Sequence, residues 1–188
     1  GFLAKFVVYV CALLSYFSPS KIVSVSKSSI ITHTKIGYNK KKFLHIPPIF
    51  LPEKNTKINN ISYGDKFLRQ VKKNKRDVYF GHLARWDKQK NHLFLLESIA
   101  NIKNKNFKLL MAGKDINKRN KVLYNKIIDL KLKNNIILLN KIENTDLFFE
   151  KIDINLLPSL GEAFPISLCE AMLNKIPSIV SDVGDNKN

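Results

Sequence analysis

Two carboxylates stand eight residues apart in the stretch "PSLGEAFPISLCEAM": Glu162 in a Gly-Pro loop and Glu170 inside an apolar run of helical spacing. Upstream, "GHLARWDKQKN" sets Arg85 and Lys90 between an apolar, β-branched run and a helix that begins near Asn91. A guanidinium fork and an ammonium point charge are suited to phosphate oxygens, and the start of the following helix adds its positive end. A carboxylate can accept hydrogen bonds from sugar hydroxyls. Each residue also has a plainer alternative. Arg85 and Lys90 could be one charged loop in a basic protein, Glu162 a cap-like loop acid, and Glu170 a helix-surface acid paired with Lys175. The chain has only 15 Asp and Glu against 32 Lys and Arg. Two acids and a basic pair facing one expected crevice therefore favour a shared ligand over unrelated surface charges.

The elements that must position these residues alternate. Short β-branched runs bounded by turn residues read as strands over 21–26, 42–47, 77–83, 107–113, 135–140, 153–159 and 177–182. Amphipathic stretches between the later ones read as helices: "NHLFLLESIANIK", "KRNKVLYNKIIDLKLK", "TDLFFEKI" and "PISLCEAMLNK". Nearly all-apolar strands alternating with helices predict an α/β fold, a doubly wound parallel sheet covered on both faces. In such a sheet ligands sit beyond the carboxyl ends of the strands. "GHLARWDKQKN", "AGKD" and "PSLGEAF" all fall there. Pro165 suits the first turn of the last of these helices, because it lacks only an N–H that is not needed there. The rhythm breaks over 47–76, where three prolines and an Asn-rich middle read as an interdomain linker.

Composition narrows the function classes. The formal charge of +17 raises nucleic acid or an anionic membrane surface as partners. The excess is Lys scattered among Asn and Ile, without an Arg-rich run or an aromatic-studded basic strand, which argues against specific nucleic-acid binding. Peripheral attraction to anionic lipid remains open. Cys11 and Cys169 have no paired spacing and read as small buried thiols of a reducing compartment. His33, His45, His82 and His92 form no metal-binding pattern, there is no D-x-D pair, and no metal or other cofactor is expected. The opening "GFLAKFVVYVCALLSYF" is short for a membrane span and carries Lys5 within it. It reads as a helix buried in a larger fold. The chain starts at Gly1 and stops at "SDVGDNKN", and is expected to be a piece of a longer protein.

Taken in order, "FGHLARWDKQKNHLFLLESIA", "KLLMAGKD", "NIILLNKIENTDLFFEKIDINLLPSLGEAFPISLCEAML" and "KIPSIVSDVG" resemble the C-terminal half of the large GT-B glycosyltransferase family. That family, of the group 1 or family 4 type, transfers sugars from nucleotide-sugar donors with retention of configuration. "KIVSVSKSSIITHTKIGYNKKKFLHIP" resembles the end of its N-terminal domain, so the likeness runs from about Lys21 to Gly184. It implies three regions: the tail of an acceptor-side domain over 1–46, a linker over 47–76, and a truncated, Rossmann-like donor-binding domain over 77–188. It implies that Arg85 and Lys90 bind the donor diphosphate and stabilise the departing nucleotide. Glu162 would lie near the transferred sugar and Glu170 at the ribose hydroxyls. The backbone of Ala163, Phe164 and Pro165 would contact sugar and phosphate, and the loop at Lys141 and Ile142 would face the base. The implied partners are a UDP- or GDP-sugar and a glycan or lipid-linked acceptor, at the cytoplasmic face of a membrane. This chain alone is expected to hold donor without completing transfer. The alternative is a basic, non-enzymatic module for nucleic acid or anionic membrane. Two departures stand out: "IPPIF" where many members have an Asn-Gly turn, and Asp185 where a second Gly is common.

Overall fold

Each of the seven β-branched runs forms a strand: β1 (Ile22–Ser24), β2 (Phe43–His45), β3 (Val78–Leu83), β4 (Phe107–Ala112), β5 (Ile136–Asn140), β6 (Ile154–Leu157) and β7 (Ser178–Val180). The computed structural model describes residues 2–49 and 62–186. By their contacts these residues fall into two units, one holding 2–49, 162–165 and 182–186, the other 62–161 and 166–181.

The larger unit is built on a five-stranded, all-parallel sheet of order β5-β4-β3-β6-β7. The chain steps outward from β3 through β4 to β5, then returns to lay β6 on the other side of β3. That reversal between β3 and β6 is the topological switch point at which a doubly wound sheet opens a crevice beyond its strand ends. Helices α4 (His92–Ala100) and α5 (Lys121–Asp129) cover one face, and α3 (Tyr63–Gln70), α6 (Thr145–Glu150) and α7 (Ile166–Leu173) the other. Strand β4 shows why the strands of this sheet are nearly all-apolar: Phe107, Leu109 and Met111 enter the α4–α5 core, whereas Leu110 and Ala112 enter the opposite one. Phe107, Phe148 and Phe149 are at most 2% exposed, and burial of each contributes about 2–3 kcal/mol.

Helix α3 lies within the stretch read as a linker, where no element was expected; residues 50–61 of that stretch fall outside the described residues. A reciprocal capping box starts the helix. Asp65 N–H donates to Ser62 Oγ at 3.1 Å, and Ser62 N–H donates to the Asp65 carboxylate at 2.9 Å. Leu68 is fully buried against the sheet, and Gly64 comes so close that a Cβ there would lie 2.6 Å from the Leu139 carbonyl oxygen.

The smaller unit holds α1 (Phe2–Leu14), α2 (Lys27–Ile36) and the parallel pair β1–β2. Helix α2 had no apolar stripe to announce it. Ser26 caps its start by accepting from Ser29 N–H, and Gly37, at φ 115°, closes its end. Asp185 adds a second cap: its carboxylate accepts from the Lys27 and Ser28 N–H groups at 2.8 and 2.9 Å. The opening segment is helical, as expected, but within α1 only Ala12 is buried, whereas Phe2 is 88% exposed. Among the described residues no helix is long and apolar enough to cross a membrane. The expectation of two buried thiols is corrected: Cys11 is exposed and Cys169 half-buried, both unbridged.

Candidate functional site

The basic loop after β3 is held by its neighbours on both sides. Ala84 N–H donates to the Ala112 carbonyl (2.9 Å) and Trp86 N–H to the Lys114 carbonyl (2.8 Å), so the loop runs along the end of β4. Asp87 caps the 3-10 turn Lys88–Lys90, accepting from Gln89 N–H at 2.8 Å. The Arg85 guanidinium donates to the same carboxylate at 3.2 Å. The Gln89 bond first, and Arg85 second, hold the Asp87 carboxyl below its ordinary range. Arg85 is 63% exposed, so its contact with Asp87 is a solvent-screened pair that an incoming anion can replace.

Across the switch point this loop is stitched to the one after β6. Leu160 N–H donates to the Gln89 carbonyl (2.8 Å) and the Asn91 side-chain amide to the Pro158 carbonyl (3.2 Å). Asn91 takes the left-handed conformation at φ 57° to make the turn into α4. Beneath the loop lie two buried rings absent from the sequence expectations. One nitrogen of His82 lies 2.7 Å from the Leu156 carbonyl, the other 3.1 Å from His92, and the far nitrogen of His92 lies 2.9 Å from the Arg85 carbonyl. Burial above all holds both rings below the ordinary histidine range.

The loops after β3, β4 and β5 border an open cavity of about 710 Å³ whose lining includes Trp86, Lys114, Asp115, Asn117, Arg119 and Lys141. Three cations against one acid give it the sign a nucleotide requires. Lys141 is exposed and paired with Glu143 at 2.8 Å. The Ile142 side chain is buried in the sheet's core. Asp65 shapes this loop from below, accepting from Glu143 N–H at 3.2 Å and Asn144 N–H at 3.1 Å. Burial opposes ionisation of Asp65, but these bonds together with Ser62 outweigh it and lower its pKa. A second groove, of about 370 Å³, is lined by Phe80, Phe94, Ile99, Leu157 and Ile179 among others. It carries no charged side chain and is unsuited to a diphosphate.

Glu170 is half-buried on α7, where its carboxylate accepts from the Thr145 hydroxyl at 3.4 Å. The suggested pairing with Lys175 is not formed. Burial raises the Glu170 pKa, Thr145 opposes this, and Asp146 adds to the rise. An acid kept at such a cost invites a functional reason. Glu162 to Pro165 group with residues 182–186 rather than with the sheet. Gly184, at φ 58°, lies so near the Glu162 carbonyl oxygen that a Cβ there would come within 1.8 Å. Ala163 is exposed, and Pro165 is buried and stands just before α7 rather than within its first turn. The structure thus brings Arg85, Lys90, Lys141, Ile142 and Glu170 into one unit and sets the 162–165 segment in the other. Among the described residues no group of three or more His, Cys, Asp or Glu could hold a metal ion.

The larger unit is therefore an α/β domain with a basic loop at its switch point and a cationic cavity beside it. Residues 65–188 match the family model described as Glycosyl transferases group 1, and the chain belongs to that family. EpsF of Bacillus subtilis (strain 168) is 31% identical over 116 residues, which is 56% of this chain and 27% of EpsF. Among solved structures, Anabaena HepE in complex with UDP and glucose superposes with a TM-score of 0.78 at 19% identity, covering 96% of this chain and 49% of HepE. A glycosyltransferase from Rickettsia africae gives 0.71 at 21% identity, covering 88% and 45%. At these identities the structural likeness is one of fold, and it is to GT-B glycosyltransferases. The chain spans about half the length of these structures.

Proposed function

We propose that this chain carries the donor side of a glycosyltransferase that moves a sugar from a nucleotide-sugar, with retention, onto a glycan or lipid-linked acceptor. The observation that carries the reading is the family's basic loop at the β3–β6 switch point, beside a cationic cavity of nucleotide size. HepE, with the same fold, was solved with UDP-glucose, which supports a UDP-sugar as the first donor to try. In this reading Arg85 and Lys90 hold the diphosphate and take up the charge that develops on the leaving nucleotide, the role that fixed cations fill when no metal is used. Glu170 accepts from the ribose hydroxyls, Lys141 and the backbone of Ile142 border the base, and Glu162 with the backbone of Ala163, Phe164 and Pro165 meets the transferred sugar. The +17 charge supports a place at an anionic membrane face.

Titration calorimetry of the chain with UDP-glucose and GDP-mannose tests this. One donor class should bind, and Lys90→Ala should weaken it roughly 10- to 100-fold, the loss of one charged hydrogen-bonding partner. Glu170→Ala should weaken it as well. Binding that ignores both substitutions but collapses steeply with added salt would instead favour a non-specific basic module.

A further inference from the structure

His82 and His92 have no role in the reading above, yet they lie directly beneath its basic loop, 0% and 2% exposed. They form a short relay. It runs from the Leu156 carbonyl on β6, through His82 on β3 and His92 at the start of α4, to the Arg85 carbonyl in the loop itself. It therefore ties both strands flanking the switch point to the segment that carries Arg85 and Lys90. Trp86 closes the relay from outside, its ring stacked on His92 at 5.0 Å and 19°.

Counting protons narrows the tautomers. The carbonyl oxygens at the two ends can only accept, so each end requires an N–H. Burial favours the neutral form of both rings and the nearby Lys90 charge acts in the same direction, while the carbonyl contacts, and Asp87 at His92, oppose it. Two neutral imidazoles bring two N–H groups to three contacts. With His82 protonated on Nδ1 and His92 on Nε2, both carbonyls are satisfied at 2.7 and 2.9 Å, and the 3.1 Å ring-to-ring contact is left without a proton. The other tautomer of His92 would set a bare nitrogen lone pair 2.9 Å from the Arg85 oxygen.

We propose that His92, packed edge-on against the His82 ring, is a positioning residue whose Nε2–H pins the Arg85 carbonyl and so sets the loop that receives the donor's diphosphate. The consequence for binding rests on the donor reading above, whereas the hydrogen bond itself does not. Long-range ¹H–¹⁵N spectra of the unmodified chain should show His82 as the Nδ1–H and His92 as the Nε2–H tautomer. His92→Gln retains an amide donor for the Arg85 oxygen, and His92→Leu has none. The Leu variant should shift the Arg85 carbonyl ¹³C resonance and weaken UDP-glucose binding about tenfold, while the Gln variant keeps the resonance and stays within about threefold of the parent. An Nδ1–H tautomer for His92, or an Arg85 carbonyl indifferent to the Leu substitution, overturns the proposal without any ligand. If the parent chain, well folded, binds no UDP-glucose, the donor reading fails, and the tautomer and the carbonyl resonance still decide the positioning role. Parent binding that the Leu variant retains in full leaves the donor reading intact and removes the positioning role.

Discussion

Gly113, the residue after β4, controls where the basic loop can run, and Gly113→Ala tests that geometry. Its φ of 145° is one that residues with a side chain rarely adopt, and an added Cβ would lie 2.1 Å from the Ala84 carbonyl oxygen and 2.8 Å from Arg85 N. To reach even 3.0 Å, the tightest separation real Cβ atoms tolerate, the Ala84 carbonyl must withdraw by about 0.9 Å. It cannot do so freely, because Ala84 N–H and Trp86 N–H are both bonded to the β4 side, at 2.9 and 2.8 Å. Backbone strain of about 1–3 kcal/mol and overpacking of similar size give an expected loss of roughly 4 kcal/mol. The midpoint of urea unfolding at constant slope reads that loss, and amide shifts should centre on Arg85 and Trp86. Donor affinity should fall by an order of magnitude or more, since displacements of about 1 Å are costly at such sites. Gly161→Ala is the matched control in the loop after β6. Its Cβ would meet only the flexible end of Gln89, at 2.9 Å from Nε2, so less than about 1 kcal/mol is expected. Equal losses in the two variants, or no loss in the first, would refute the reasoning.

Glu170→Gln should raise the melting temperature at neutral pH while weakening donor binding. A carboxyl whose folded pKa is raised stabilises the protein only below its unfolded value, and that contribution is lost as pH rises through the folded value, so the gain should vanish in acid. Asp185→Asn should cost about 1.5–3 kcal/mol locally, because it removes a charged acceptor from the start of α2, and amide exchange at Lys27 and Ser28 should quicken. Burial opposes ionisation of Asp185, but the backbone N–H groups of Ser28 and Lys27 and the serine hydroxyls lower its pKa overall. Its contribution is therefore present above the unfolded value and lost as pH falls through the folded one, a slope the variant should lack. Asp65→Asn should lower the unfolding free energy by about 2–4 kcal/mol, because a single neutral amide oxygen replaces the two carboxylate oxygens that accept from Ser62, Glu143 and Asn144, and should disturb amide shifts at Lys141 and Ile142.

How much of this was legible in the sequence depended on whether a signal was local. All seven strands were, as short apolar runs between turn residues, and those of the larger sheet are nearly all-apolar because β4 and its neighbours are buried on both faces. Helix α2 was not: "KSSIITHTKI" has the Ser and Thr content of a turn, buries no residue, and owes its shape to Ser26, Gly37 and the distant Asp185. Helix α3 could have been found. "SYGD" is a capping box, Ser62 to Asp65, with Leu68 three residues on. Its polar setting among Asn and Lys hid the one apolar side chain that anchors it.

The same division runs through the site. Arg85, Lys90, Glu162 and Glu170 stand out as candidates by type and spacing alone. His82 and His92 do not, because ten residues apart they fit no metal or triad pattern, and each alone reads as an isolated core histidine. Only folding makes them a pair: β3 points His82 inward beside β6, the loop doubles back through the left-handed Asn91, and α4 starts with His92 aimed at the ring it left. Asp65 is equally silent, because the backbone amides it orders lie 78 and 79 residues away. A sequence displays the groups that can touch a ligand. The groups that hold those in place are contributed by chain topology: in this protein His92 and the buried Asp65 carboxylate are bonded to the backbone of a loop, and His82 to the backbone of β6, rather than to functional side chains.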